Sequence, residues 1–171
     1  DNIAIGYAAM TVNTAGGSEN IALGNYALDA LTSGDSNVAV GHQALTTNTT
    51  GGGNIAVGKL ALEDNTTGSG NVAIGGEALK NNTTASSNVA IGTDAMGANT
   101  TGANNVAVGK NALLANTTGT RNVGVGYGTL AAVTTTNDNT ALGYEAGLAI
   151  TGAGNVAIGN LALKAAFGNN D

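Results

Sequence analysis

Cysteine, proline and tryptophan are absent from this chain, and phenylalanine occurs once. Without cysteine there are no disulfides, so stability has to come from packing and hydrogen bonds. Aromatic residues make up 3% of the sequence, too few for the aliphatic and aromatic core of an ordinary domain of 171 residues. Charged residues are also scarce, at 9% against a usual quarter. The five basic residues Lys59, Lys80, Lys110, Arg121 and Lys164 are scattered, and the formal net charge is -6. That balance excludes a nucleic-acid-binding surface, which needs clustered Lys and Arg to meet phosphates. No apolar run approaches the ~18 residues of a membrane-spanning helix, and the first residues do not read as a signal peptide.

What is present is glycine, 28 residues of it, with alanine, β-branched residues, asparagine and threonine in a strict period. The segment Asn-(Val/Ile)-Ala-(Val/Ile)-Gly begins at Asn2, Asn20, Asn37, Asn54, Asn71, Asn88, Asn105, Asn122, Asn139 and Asn155. The spacings are 18, then seven of 17, then 16. Residues 1–171 thus form a single array of ten repeats, of which Asn54 to Gly70 (NIAVGKLALEDNTTGSG) is a regular example.

Within the repeat, position 1 is always Asn and position 5 always Gly. Positions 2 and 4 are β-branched or Leu, position 3 is Ala except at Gly124, and position 8 is Ala except at Thr129. Position 9 is Leu or Met except at Gly147. A two-residue apolar period marks a strand over positions 2–4. Hydrophobicity predicts that positions 2, 4 and 9 fill the interior, and that the position-3 alanines face out. The Gly at position 5 predicts a corner with φ > 0 or close packing, and Asn-Thr-Thr-Gly at positions 12–15 predicts a second corner between two short strands. The fold expected is all-β, a parallel β-solenoid (β-roll) of ten ~17-residue turns, about 48 Å long at ~4.8 Å per turn.

Stacking places the ten position-1 asparagines in one column, where their amides can bond from turn to turn as a structural ladder. An outward stripe held to alanine, as at Ala39, Ala56, Ala73, Ala90 and Ala107, predicts close inter-chain contact. The variable position 6 (Tyr7, Asn25, His42, Lys59) reads as solvent-facing.

Laid out in this way, the repeat resembles the head repeats of YadA-like trimeric autotransporter adhesins. Its longer unit, as in NVAVGHQALTTNTTGGG (Asn37 to Gly53), is similar to repeats of bacterial surface fibres and phage tail-fibre shafts. The resemblance implies a homotrimeric fibre, extracellular on a cell surface or a virion, used in adhesion or host attachment. It implies as partners the chain itself and a cell-surface glycan or protein receptor. The chain begins and ends in phase with the repeat, which gives a second reading, a filament of subunits stacked head to tail. The last repeat replaces Asn-Thr-Thr with Ala166, Phe167 and Gly168, so Phe167 reads as a partial cap or a joint.

No catalytic, cofactor or metal site is expected. His42 is the only histidine, Glu63 and Asp64 are the only adjacent acidic pair, and no turn carries the aspartate of a calcium-binding β-roll. Gly51 to Gly53 lead into neither a helix nor a Lys-Ser/Thr, so they do not form a phosphate loop. Threonine columns at positions 13 (Thr14 through Thr151) and 14 supply a third reading, an ice-binding solenoid, although adjacent threonines in a turn lack the Thr-x-Thr spacing of a flat hydroxyl array. The same segments make Asn-Thr-Thr sequons at Asn48, Asn65, Asn82, Asn99 and Asn116, to be weighed against plain turn chemistry.

Overall fold

Each three-residue apolar segment pairs in parallel with the segment one repeat away. In the computed structural model, which describes residues 1–13 and 15–164, ten such strands form one sheet in sequence order. They are β1 (Ile3–Ile5), β2 (Ile21–Leu23), β3 (Val38–Val40), β4 (Ile55–Val57), β5 (Val72–Ile74), β6 (Val89–Ile91), β7 (Val106–Val108), β8 (Val123–Val125), β9 (Thr140–Leu142) and β10 (Val156–Ile158). The register is in phase throughout, with Ala39 beside Ala56 and Ala56 beside Ala73. The chain is a β-solenoid, with no helix among the described residues. Thr14 and Phe167 lie outside those residues.

Two expectations are corrected. Each turn carries one strand rather than two: positions 12–15 run as bends that touch the next turn mainly through single backbone bonds, such as Thr49 N–H to the Thr66 carbonyl at 2.9 Å. The strand also faces the other way. Ala39, Ala56, Ala73, Ala90 and Ala107 are fully buried, and positions 2 and 4 on either side point outward. The interior is lined by position-3 and position-8 alanines, with the position-9 Leu or Met as the large side chain of most turns and Leu31, Val133 and Ile150 added from position 12.

The reason is volume. A coil of 17 residues encloses a narrow space, and one leucine against two methyl groups fills it. Two irregular repeats show how tight it is. In β8, Gly124 stands where Ala is usual, and a Cβ there would lie 2.9 Å from Thr129 Oγ1, the one non-alanine at position 8. In the ninth repeat Gly147 replaces the leucine, and the vacated space holds Ile150 Cδ1 and Leu130 Cδ2, each 2.8 Å from where a Cβ would sit.

The backbone between the strands alternates hand. Positions 7, 9 and 17 adopt positive φ in turn after turn, as at Glu77 (61°), Leu79 (51°) and Ser87 (61°). For L-residues this region costs roughly 1–2 kcal/mol each. Here it aims the N–H groups along the axis: Leu79 donates to Ala95 at 3.0 Å, Glu77 to Lys59 at 2.9 Å and Ser87 to Ser69 at 3.0 Å. The position-5 glycine is required twice over. At Gly75, φ is 132° and a Cβ would lie 2.6 Å from the carbonyl carbon and oxygen of Gly92.

These contacts make opposite outcomes testable by thermal or denaturant unfolding. Gly75→Ala should destabilise the fold by about 2–5 kcal/mol through strain and overpacking. Ser87→Gly, at an exposed positive-φ site, should stabilise it by about 0.5–1 kcal/mol. A double-mutant cycle at Gly124 and Thr129 should show coupling: Gly124→Ala alone costs about 1–2 kcal/mol, and Thr129→Ala in the same chain restores most of it.

Candidate interaction surface

The interior of this coil is polar at its two corners, and asparagine satisfies both. The position-1 asparagines form a continuous column. Asn37 accepts the Asn54 backbone N–H on Oδ1 at 3.0 Å and the Asn54 Nδ2 at 3.1 Å, while its own Nδ2 donates to the Gly51 carbonyl at 2.9 Å. The same backbone N–H to Oδ1 bond runs from Asn20 onto Asn2 and on up to Asn155 onto Asn139.

A second column, which reading the Asn-Thr-Thr-Gly segment as a turn did not reveal, comes from position 12. Asn65 Nδ2 donates to Asn48 Oδ1 at 2.8 Å and to the Gly68 carbonyl at 3.0 Å, and the pattern continues through Asn82, Asn99 and Asn116. This column is bounded by Leu31 on one side and Val133 on the other, both buried. Asn116 Oδ1 consequently has no donor above it and is unpaired, as is Asn13 Oδ1 beside Leu31. The five sequon asparagines are therefore internal braces. All five are fully buried, and the nitrogen that would carry a sugar is engaged.

The threonines divide by position. The hydroxyls of Thr32, Thr49, Thr66, Thr83, Thr100 and Thr117 donate to the position-13 carbonyl of the next turn at 2.9–3.2 Å. Thr50, Thr67, Thr84, Thr101, Thr118 and Thr135 at position 14 are exposed. The two columns do not form one flat hydroxyl array.

With amides and methyl groups inside, the aliphatic residues of the strands are left outside. Positions 2 and 4 of the ten strands present nineteen Val, Ile or Leu side chains and Thr140 on one face of the sheet. Val38, Val40, Val72 and Val106 are half-buried by their neighbours, while Ile74, Leu142 and Ile158 are 39%, 49% and 67% exposed. At ~4.8 Å per strand the face runs about 43 Å along the axis. Its area is on the order of 400 Å², the size at which a contiguous apolar patch marks a contact site. The alanines expected at that contact are instead the floor beneath it.

The rest of the surface is mostly polar, with Val12, Leu114 and Leu161 as isolated exposed aliphatic residues, and is laced along the axis. Lys80 reaches Glu63 at 3.9 Å and Glu77 at 3.6 Å, Arg121 pairs with Asp138 at 2.6 Å, and Lys164 pairs with Glu145 at 2.8 Å. Tyr127 and Tyr144 stack at 5.3 Å, and Tyr7, Tyr26 and His42 meet edge to face on exposed ridges. Gly97 leaves a shallow notch of about 280 Å³ bordered by Glu77, Lys80, Asn81, Asp94 and Leu114. Among the described residues no three His, Asp or Glu side chains converge as a metal site, and no helix is long and apolar enough to cross a membrane.

The exposed ion pairs set a pH dependence. The Arg121 hydrogen bond holds Asp138 below its ordinary carboxylate value, and Lys164 does the same for Glu145. The Ser18 backbone N–H, followed by its hydroxyl, lowers Asp35. A carboxylate lowered in the folded state contributes stability above its unfolded pKa and loses it as pH falls through the folded one. The thermal midpoint should be level from about pH 6 to 8 and fall below about pH 4, with a shallower fall in Asp138→Asn.

Comparison with family models, curated proteins and solved structures gives no match to this chain.

Proposed function

We propose that this chain is a structural segment of an extracellular fibre, a homotrimer in which three coils pack their aliphatic sheet faces together. The observation that carries the reading is the double column of Val, Ile and Leu, interrupted only by Thr140, on a sheet of continuous parallel register. At about 25 cal/mol per Å², burying a face of that area is worth on the order of 10 kcal/mol per chain. That exceeds the lower part of the roughly 4–15 kcal/mol range that association costs. The resemblance of the repeat to trimeric adhesin heads and tail-fibre shafts supports the threefold arrangement and a role in adhesion or host attachment.

The role is mechanical rather than catalytic. Inter-turn bonding gives a stiff rod, the apolar faces join the rods, and the threonine corners and tyrosine ridges stay outside, where a glycan or protein receptor can meet them.

Sedimentation equilibrium at micromolar protein tests the proposal. The wild-type chain should have three times its 16.4 kDa mass. Val72→Glu with Ile74→Glu should shift the mass towards that of one chain while the β-sheet circular dichroism remains. A wild-type mass of one chain contradicts the reading.

A further inference from the structure

The sequence contains a sixth sequon, overlapping one of the five Asn-Thr-Thr segments: Asn81-Asn82-Thr83. Its asparagine sits in a different environment from the others. Position 11, where Asn81 falls, lies on the outer ridge beside the Gly97 notch, and Asn81 is exposed. Its backbone N–H holds the next turn at the Gly97 carbonyl, 3.2 Å away, but its side chain takes no part in either amide column. By contrast, Asn65, Asn82, Asn99 and Asn116 each donate both Nδ2 hydrogens inside the coil, to the preceding column member at 2.8–2.9 Å and to a position-15 carbonyl at 3.0–3.1 Å. Asn48 Nδ2 donates to Gly51 at 2.9 Å.

An N-linked sugar is attached at that same nitrogen. The anomeric carbon of a phosphate-activated sugar, the co-substrate of the transferase, bonds to this nitrogen as its bond to the phosphate oxygen breaks. The phosphate leaves and the amide gives up one proton, so one buried acceptor loses its donor, and the sugar has to occupy space already filled by the next turn. A Cβ at Gly68 would already lie 2.4 Å from Asn65 Oδ1 and 2.2 Å from the Ala85 carbonyl. We infer that Asn81 is the one of these six sequons at which an N-glycan is compatible with the solenoid, and that a glycan at any of the five column asparagines and the folded coil exclude each other.

The test lets folding sort a mixed population. The denaturant-unfolded full chain is partially modified with a soluble N-glycosyltransferase that recognises Asn-x-Ser/Thr, then diluted to refold. The protease-resistant fraction is then mapped site by site. Asn81 occupancy in that fraction should equal its occupancy in the input, and occupancy at the five column sites should be depleted at least about tenfold, since each removes a buried donor. If the chain does not refold from denaturant, the same partition is read on chains modified during synthesis in an N-glycosylating cell. Input-level occupancy at any column site in the resistant fraction, or depletion of Asn81 alongside them, would overturn the inference.

Discussion

The structure depends on satisfying a backbone that has very little regular sheet to satisfy it. Three residues in each turn form a ladder; the remainder bend, and their N–H and C=O groups face a narrow interior or the turns above and below. Buried peptide groups without partners cost on the order of 1–3 kcal/mol each. Two columns of asparagine meet this demand at the corners, with side chains that act as both donor and acceptor and pass the pattern to an identical neighbour. Threonine hydroxyls add a third set of bonds at position 13. Where the second column stops, at Asn116, an acceptor is left without a donor, because the next turn offers Val133.

That bonding scheme dictates what else fits. Side chains that must reach from turn to turn keep the turns close, and close turns leave room only for methyl groups and one leucine. Glycine at the corner and alanine in the strand follow from the same spacing. The larger aliphatic residues are displaced to the outer face, so a coil too slim to hold its own hydrophobic residues presents them to a partner. Lateral association in the proposed fibre is thus the counterpart of the amide-lined interior.

The period, the ten strand positions and the conformational demand on the position-5 glycine were legible in the sequence, because each is a local or repeating property. The facing of the strand was not. A two-residue alternation is compatible with either side inward, and hydrophobicity ordinarily decides for the larger residues. Here volume decides instead. The signal lay in the exceptions: Gly124 and Thr129 depart together from alanine at positions 3 and 8, as two positions sharing one small space would. The second asparagine column was hidden for a related reason, since Asn-Thr-Thr-Gly reads as a turn whether its asparagine points in or out. Its replacements, Leu31, Val133 and Ile150, are apolar, which a solvent-facing turn position would not favour. Leucine in a left-handed conformation at position 9 has no sequence signal at all; only the inter-turn bond it serves explains it.

Ala73 lies at the centre of the array, fully buried between Ala56 and Ala90 with Leu79 across the interior. Thermal unfolding of Ala73→Leu, followed by β-sheet circular dichroism, therefore bears most directly on which side of the strand faces in. If methyl groups line the interior, the added bulk should cost about 3 kcal/mol or more and lower the midpoint by about 5–10 °C, or abolish folding. An unchanged midpoint would mean that the alanine column faces outward and that the aliphatic residues form the core.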